Sequence, residues 1–298
     1  MSHLYLKVLD NARKPKGFLG RCVLEFMNRF AHKELAEWAI DGIEVEKNKN
    51  ILDVGCGGGA NIARLLKKYP LANVVGVDYS AIAVRLSQKH NSKAIKNGKC
   101  KIYKSDVRCL PFRENTFDII TAFETIYYWP DIEQSFRGIY KILSNQGVFL
   151  IANGADAEEG GWTWDRYIEG MQTYPPTEIT RYLTKVGFKN INADIMFSLP
   201  NETLKEVKNT IDEVLKLNLE HISAYSLIIE EGTEFYDLYS TKIGQKLLPD
   251  EETDRAMYHA TDDILVKYGF KRYEISNYAR QGRECRHNIG YWTGAEYL

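Results

Sequence analysis

The stretch Ile51-Leu52-Asp53-Val54-Gly55-Cys56-Gly57-Gly58-Gly59, followed by Ala60-Asn61-Ile62-Ala63-Arg64-Leu65-Leu66, constrains the fold of this chain more than any other. A short apolar strand enters a turn dense in glycine, and a helix starts immediately after it. Glycine allows φ > 0 and lets the backbone approach a ligand with no Cβ in the way, while a helix N-terminus presents unpaired N–H groups. The pattern predicts a strand–turn–helix unit whose ligand sits at the C-terminal end of the strand.

A glycine-rich turn alone is weak evidence, so the elements that follow carry the weight. Val74-Val75-Gly76-Val77-Asp78 reads as a second buried strand ending in an acid. That spacing brings a carboxylate to a ribose diol in strand–helix–strand geometry. Lys101-Ile102-Tyr103-Lys104-Ser105-Asp106-Val107 is a third strand with an Asp at its end, and Phe117-Asp118-Ile119-Ile120-Thr121-Ala122-Phe123 is a fourth. A single Asp most often caps a turn or faces solvent, but three acids at three successive strand ends point to a shared ligand.

The glycines depart from the dinucleotide pattern G-x-G-x-x-G, because Asp53 stands two residues before Gly55 and the turn reads G-C-G-G-G. This D-x-G-x-G turn, with its ordered strand-end acids, resembles the class I methyltransferases that use S-adenosylmethionine. The resemblance covers about residues 15–190. It implies a doubly wound Rossmann-like α/β sheet in which Asp53, Gly55, Cys56 and Gly57 wrap the methionine part of the cofactor. Asp78 would then hold the ribose hydroxyls and Asp106 with Val107 would read the adenine, Tyr79 and Phe123 completing the cofactor set. The Cys56 thiol is given no chemistry. Leu143-Ser144-Asn145-Gln146-Gly147-Val148-Phe149-Leu150-Ile151 resembles the family's turn into strand 5, with Asn145-Gln146-Gly147 where many members have Pro-Gly.

Ahead of the turn, Phe18, Leu19, Cys22, Val23, Phe26 and Met27, then Leu35, Ala36, Trp38, Ala39 and Ile40, lie at helical spacing. Residues 1–48 are therefore expected to form a helical cap, and Met27 to His32 ahead of Trp38 resemble the cap of a clostridial-type subgroup of small-molecule methyltransferases. His32 is a candidate for the acceptor pocket or a helix-surface or core histidine. After the fourth strand, Phe123-Glu124-Thr125-Ile126-Tyr127-Tyr128-Trp129-Pro130 is an aromatic run where the acceptor pocket of this fold opens. Aromatic faces can hold a sulfonium cation and exclude water. Glu124, Tyr127, Tyr128 and Trp129 are thus the acceptor-side candidates, with Glu124 the ionisable one. No Asp-Pro-Pro-Tyr tetrad is present, which argues against nucleobase or glutamine acceptors and for a small-molecule methyl acceptor.

Composition agrees with an enzyme of this kind. The 298 residues are 44% hydrophobic and carry a net charge of −1, which supplies a core and gives no signature of nucleic-acid binding. Cys22, Cys56, Cys100, Cys109 and Cys285 form an odd, scattered set, as expected of reduced thiols in the cytoplasm. No apolar run approaches the length of a membrane span, nor does the N-terminal stretch read as a signal peptide.

Near residue 192 the chain changes character. Residues 193–203, 220–233, 272–279 and 284–292 closely resemble the oxygen-independent coproporphyrinogen oxidase-like proteins, including the heme chaperone HemW. The resemblance covers about residues 193–298, a middle-to-late piece of that family's barrel. The family's cluster needs a C-x3-C-x2-C triad, which this sequence lacks, so no iron–sulfur cluster is expected. Cys285 and His287, spaced C-x-H, are two ligands and do not make a metal site. Heme is a less favoured partner for this segment, and a structural passenger is the plainer reading.

The expected organisation is a cap over 1–48, a cofactor-binding core over 49–192 and an α/β appendage over 193–298. Residues 191–197 are expected to join the front sheet as its sixth strand, with residues 221–227 recruited beside them, since an uncovered fifth strand would leave an open edge.

Overall fold

The computed structural model describes residues 33–43, 50–154 and 170–293, together with Pro15, Gly17, Gly20, Cys22 and Ile168. His32 lies outside the described residues. The chain divides into two compact units, residues 1–187 and 188–298.

The first unit is built on a five-stranded, all-parallel sheet. Its described elements are α1 (Lys33–Asp41), β1 (Asn50–Val54), α2 (Ala60–Lys68), β2 (Asn73–Asp78), α3 (Ala81–His90), α4 (Ser92–Lys96), β3 (Cys100–Lys104), β4 (Phe117–Phe123), α5 (Ile132–Ile142), β5 (Leu143–Ala152) and α6 (Pro176–Val186). The strand order is β3-β2-β1-β4-β5. β1 pairs with β2 on one side and with β4 on the other, both in parallel. The winding therefore reverses at β1, and in open parallel sheets such a switch point leaves a crevice beyond the carboxyl ends of the strands.

Apolar runs rather than alternation mark the central strands, because helices cover both faces. Ile51, Leu52, Ile119 and Ile120 have no exposed surface. One side of the sheet packs on α1, α2 and α3 through Ala36, Ile40, Ile62, Leu65 and Val84. The approach to β5 is irregular: Leu143 pairs with Phe117 and Val148 with Ile119, so the intervening residues of β5 bulge out. Gln146 carries the turn at φ 70°, in the left-handed region.

The second unit has its own sheet, of order β6-β7-β9-β8. Its elements are β6 (Asn192–Phe197), α7 (Leu204–Leu215), β7 (His221–Ser226), α8 (Glu234–Tyr239), α9 (Glu251–Lys267), β8 (Lys271–Arg272), β9 (Asn277–Ala279) and α10 (Arg286–Thr293). β6 and β7 are parallel over six residue pairs, and β9 joins β7 antiparallel. The expectation that residues 191–197 extend the front sheet is therefore overturned. The physical reason is a core internal to this unit. Ile195, Phe197, Ile222 and Ala224 from the two strands bury against Val207 and Ile211 of α7 and Met257 and Leu265 of α9. α7 opens with a reciprocal cap: the Glu206 N–H reaches the Thr203 hydroxyl at 3.3 Å, and the Glu206 carboxylate accepts the Thr203 N–H at 2.8 Å. With β6 engaged by β7, β5 ends the front sheet among the described residues.

No helix among the described residues is long and apolar enough to cross a membrane.

Candidate active site

A cavity of about 380 Å3 opens beyond the C-terminal ends of β1, β2 and β4. Its floor is the glycine turn. Gly55 has φ 78°, and a Cβ there would stand 2.2 Å from the Thr125 hydroxyl oxygen, so only glycine fits. Gly57, at φ 51°, directs its N–H to Asp78 Oδ2 at 3.0 Å. The Ser80 N–H donates to Asp78 Oδ1 at 2.8 Å. The carboxylate that ends β2 thus ties the turn after β1 to the start of α3. Asp78 is buried, and burial raises its pKa against the lowering effect of these two N–H donors.

Asp53 lies beneath the turn, 2% exposed. Its Oδ1 accepts the Thr121 hydroxyl of β4 at 2.9 Å, while Oδ2 is buried with no hydrogen-bond partner. Burial pushes its pKa up to about 7; Thr121 pulls downward and the neighbouring Asp78 adds to the rise. The helix α2 that follows has no side-chain cap at its N-terminus.

The other walls come from the remaining strand ends. Tyr79, Ser105, Asp106 and Val107 line one side. Asp106 caps the turn Val107–Cys109 and pairs with Arg108, N···O 2.6 Å, which holds its carboxyl below the usual range. Phe123, Glu124, Tyr128 and Trp129 line the other side. Glu124 takes the left-handed φ of 52°, accepts the Tyr127 hydroxyl at 2.7 Å, and is also reached by the Gly154 N–H. A non-glycine residue held there is strained, and such strain clusters at functional sites.

Of the sequence-derived site residues, Gly55, Gly57, Asp78, Tyr79, Asp106, Val107, Phe123, Glu124, Tyr128 and Trp129 meet at this one cavity. Three do not line it. Asp53 supports the turn from below. Cys56 turns its thiol to Ser87, Sγ to Oγ 3.9 Å, and its N–H to the Val77 carbonyl, away from the cavity. Burial and the nearby Asp78 and Asp53 hold that thiol protonated. Tyr127 also stands outside the lining: its ring packs with Ile168 and Met171 and edge-on to Tyr128 at 4.6 Å. Trp129 both lines the cavity and packs, stacked on Phe149 at 6.5 Å and edge-on to Phe136 at 6.1 Å.

Sequence reading missed Asn61, Arg64, Thr125 and Gln172 in the lining. Asn61 and Arg64 are one turn apart on α2, a spacing that could have revealed them; Arg64 contacts Asn61 at 2.8 Å and Glu37 at 3.3 Å. Gln172 follows a long connection after β5 and has no local signature.

The family described as a methyltransferase domain matches residues 52–151, from within β1 to within β5. The front unit thus contains a segment similar to a methyltransferase domain. Its fold agrees with a chain from the complex of the Haloferax volcanii methyltransferase activator Trm112 with a methyltransferase. That chain is 20% identical, at a TM-score of 0.50, covering 61% of this chain and 80% of the other. A second similarity is to the heme chaperone HemW of Bacillus subtilis, 42% identical over 114 residues, which are 38% of this chain and 30% of that protein. HemW of Lactococcus lactis is 41% identical over 127 residues, 43% of this chain and 32% of that protein. The chain thus spans about a third of the length of the curated relatives it matches, and it joins a segment similar to a methyltransferase domain to a HemW-like segment.

Within the HemW-like unit, Ser198 just after β6 and Ser226 at the end of β7 both donate to Asp254 in the first turn of α9, beside a smaller cavity of about 220 Å3. His221 is buried, with Nδ1 on Asn192 Oδ1 at 2.8 Å and Nε2 on the Tyr273 hydroxyl at 2.7 Å. Desolvation lowers its pKa, which keeps the ring neutral. Among the described residues no group of three His, Cys, Asp or Glu side chains is arranged to hold a metal.

Proposed function

We propose that the methyltransferase unit binds S-adenosylmethionine at the glycine turn and transfers its methyl group to a small-molecule acceptor. The observation that carries this reading is Asp78, a buried carboxylate at the end of β2, hydrogen-bonded to the glycine turn and lining the same cavity. The residues present fit the cofactor. Its ribose diol suits Asp78, its base suits the Tyr79, Ser105 and Val107 wall, and its ammonium suits a turn underlain by Asp53, a buried acid with one oxygen unpartnered. Bound there, the cofactor supplies an electrophilic methyl group on a sulfonium.

The chain's own part is positioning. The turn and Asp78 hold one end of the cavity rigid, and Phe123, Tyr128 and Trp129 wall the other. An aromatic wall stabilises a cation through its π-faces and keeps water from the reacting centre. Alignment of two reactants in such a site supplies much of a rate enhancement without an obligatory base. Glu124, held in one orientation by Tyr127, is the group placed to accept a hydrogen bond from an acceptor. Incubation of the full chain with labelled cofactor and metabolite pools, followed by identification of labelled products, tests the transfer. Absence of labelled product, with cofactor bound, would contradict it.

A second reading, heme or partner binding by the HemW-like unit, is favoured by the identity to proteins named heme chaperones. His221 is poorly suited as an axial ligand, since both ring nitrogens are engaged. Heme titration followed by absorbance separates the two readings.

A further inference from the structure

Two neighbouring carboxylates sit under and beside the glycine turn, and their hydrogen bonding differs. Both oxygens of Asp78 accept backbone N–H groups, from Gly57 and Ser80. Such donors favour the ionised form. Asp53 is 2% exposed and has a single donor, the Thr121 hydroxyl on Oδ1, with Oδ2 lacking any partner. A buried, ionised oxygen without a donor is costly, and the same oxygen bearing a proton costs much less. Of two adjacent acids, the one with fewer donors keeps the proton. The titratable neighbours of Asp53 are Asp78, whose charge disfavours its ionisation, and the Cys56 thiol, which burial keeps neutral and which therefore supplies no compensating charge.

We infer that Asp53 carries a proton on Oδ2 in the free chain and releases it when the ammonium group of a ligand docks on the glycine turn. The O–H bond of the carboxyl breaks, its electron pair stays on Oδ2, and the proton passes to buffer; the ligand's ammonium then balances the new charge. Asp53 is thereby a positioning residue that senses ligand charge through the turn above it. The inference rests on the proposed cofactor site, and it predicts a quantity that catalysis does not: protons exchanged on binding.

The test is calorimetric titration of the full chain with S-adenosylhomocysteine, which keeps the ammonium and has no methyl to transfer, in buffers of different ionisation enthalpy. Close to one proton is released per ligand at pH 6, falling toward zero by pH 8.5, because burial sets the free Asp53 pKa at about 7. Asp53→Asn abolishes the release. Thr121→Val, which removes the donor to Oδ1 and so makes ionisation harder, extends the release to higher pH. Methylthioadenosine, which lacks the amino-acid end, binds without releasing a proton. Binding of S-adenosylhomocysteine to the wild-type chain with no proton release at pH 6, or with equal release in Asp53→Asn, overturns the inference and leaves the cofactor site standing. Absence of binding overturns both.

Discussion

Asp78 Oδ2 accepts the Gly57 N–H at 3.0 Å, so the acid that closes β2 is also the strut of the turn that closes β1. Asp78 is the last residue of β2 and Gly57 lies in the turn that leaves the adjacent β1, where Val54 pairs with Val77. A carboxylate placed this way has two tasks, holding the turn in its left-handed geometry and presenting its remaining lone pairs to the cavity. Substitution should therefore affect cofactor affinity and turn order together.

Stability of the free chain should depend on pH through Asp53. Its folded pKa of about 7 lies above the ordinary carboxylate value. The folded state then holds the proton more tightly than the unfolded state, so the stability this group contributes is complete below about pH 4 and lost as pH rises to about 7. Relative to wild type, Asp53→Asn should gain stability over that window by on the order of 4 kcal/mol, at about 1.4 kcal/mol per pKa unit. Urea unfolding of both proteins at pH 4.5 and pH 8 measures this, and a pH-independent difference would refute it.

Gly55→Ala should be strongly destabilising. The left-handed backbone costs a residue with a Cβ about 1–2 kcal/mol. The contact with the Thr125 hydroxyl adds roughly 1–3 kcal/mol of overpacking. Because Thr125 Oγ1 also accepts the Trp129 indole N–H at 3.2 Å, the shift should appear in tryptophan fluorescence as well as in the melting temperature. An unchanged melting temperature would show that the turn has room the structure lacks.

Each unit has its own core, so a fragment of residues 1–189 should be soluble and melt cooperatively. This reverses what strand counting alone suggests, because β6 buries its apolar face on α7 and α9 and takes nothing from the front sheet. Expression and differential scanning calorimetry of the fragment decide the matter; an insoluble or non-cooperative product would mean that β5 needs a neighbour.

The strand ends were legible because each combined an apolar run with an acid or a glycine, and a parallel sheet converts that order in sequence into convergence in space. Asp53, Asp78 and Asp106 were found in this way. The direction of a side chain within a turn was not legible: Cys56 and Tyr127 lie between residues that line the cavity, and local backbone geometry alone turns them away from it. Nor was the partner of residues 191–197 legible. Asn192–Phe197 has the composition of a strand in either sheet, and its choice of β7 follows from the α7 crossover and from the fit of Phe197 and Ile222 against Ile211 and Met257. Gln172 reached the cavity through a long connection that no periodicity describes.

The central claim is that the glycine turn and Asp78 form a site for S-adenosylmethionine, and calorimetric titration of the wild-type chain and Asp78→Ala with that compound tests it most directly. A hydrogen bond to a charged group is worth about 1.5–3 kcal/mol, so the wild-type chain should bind one equivalent and the variant should bind more than tenfold more weakly. No binding to the wild-type chain, or equal affinity in the two proteins, would contradict the account.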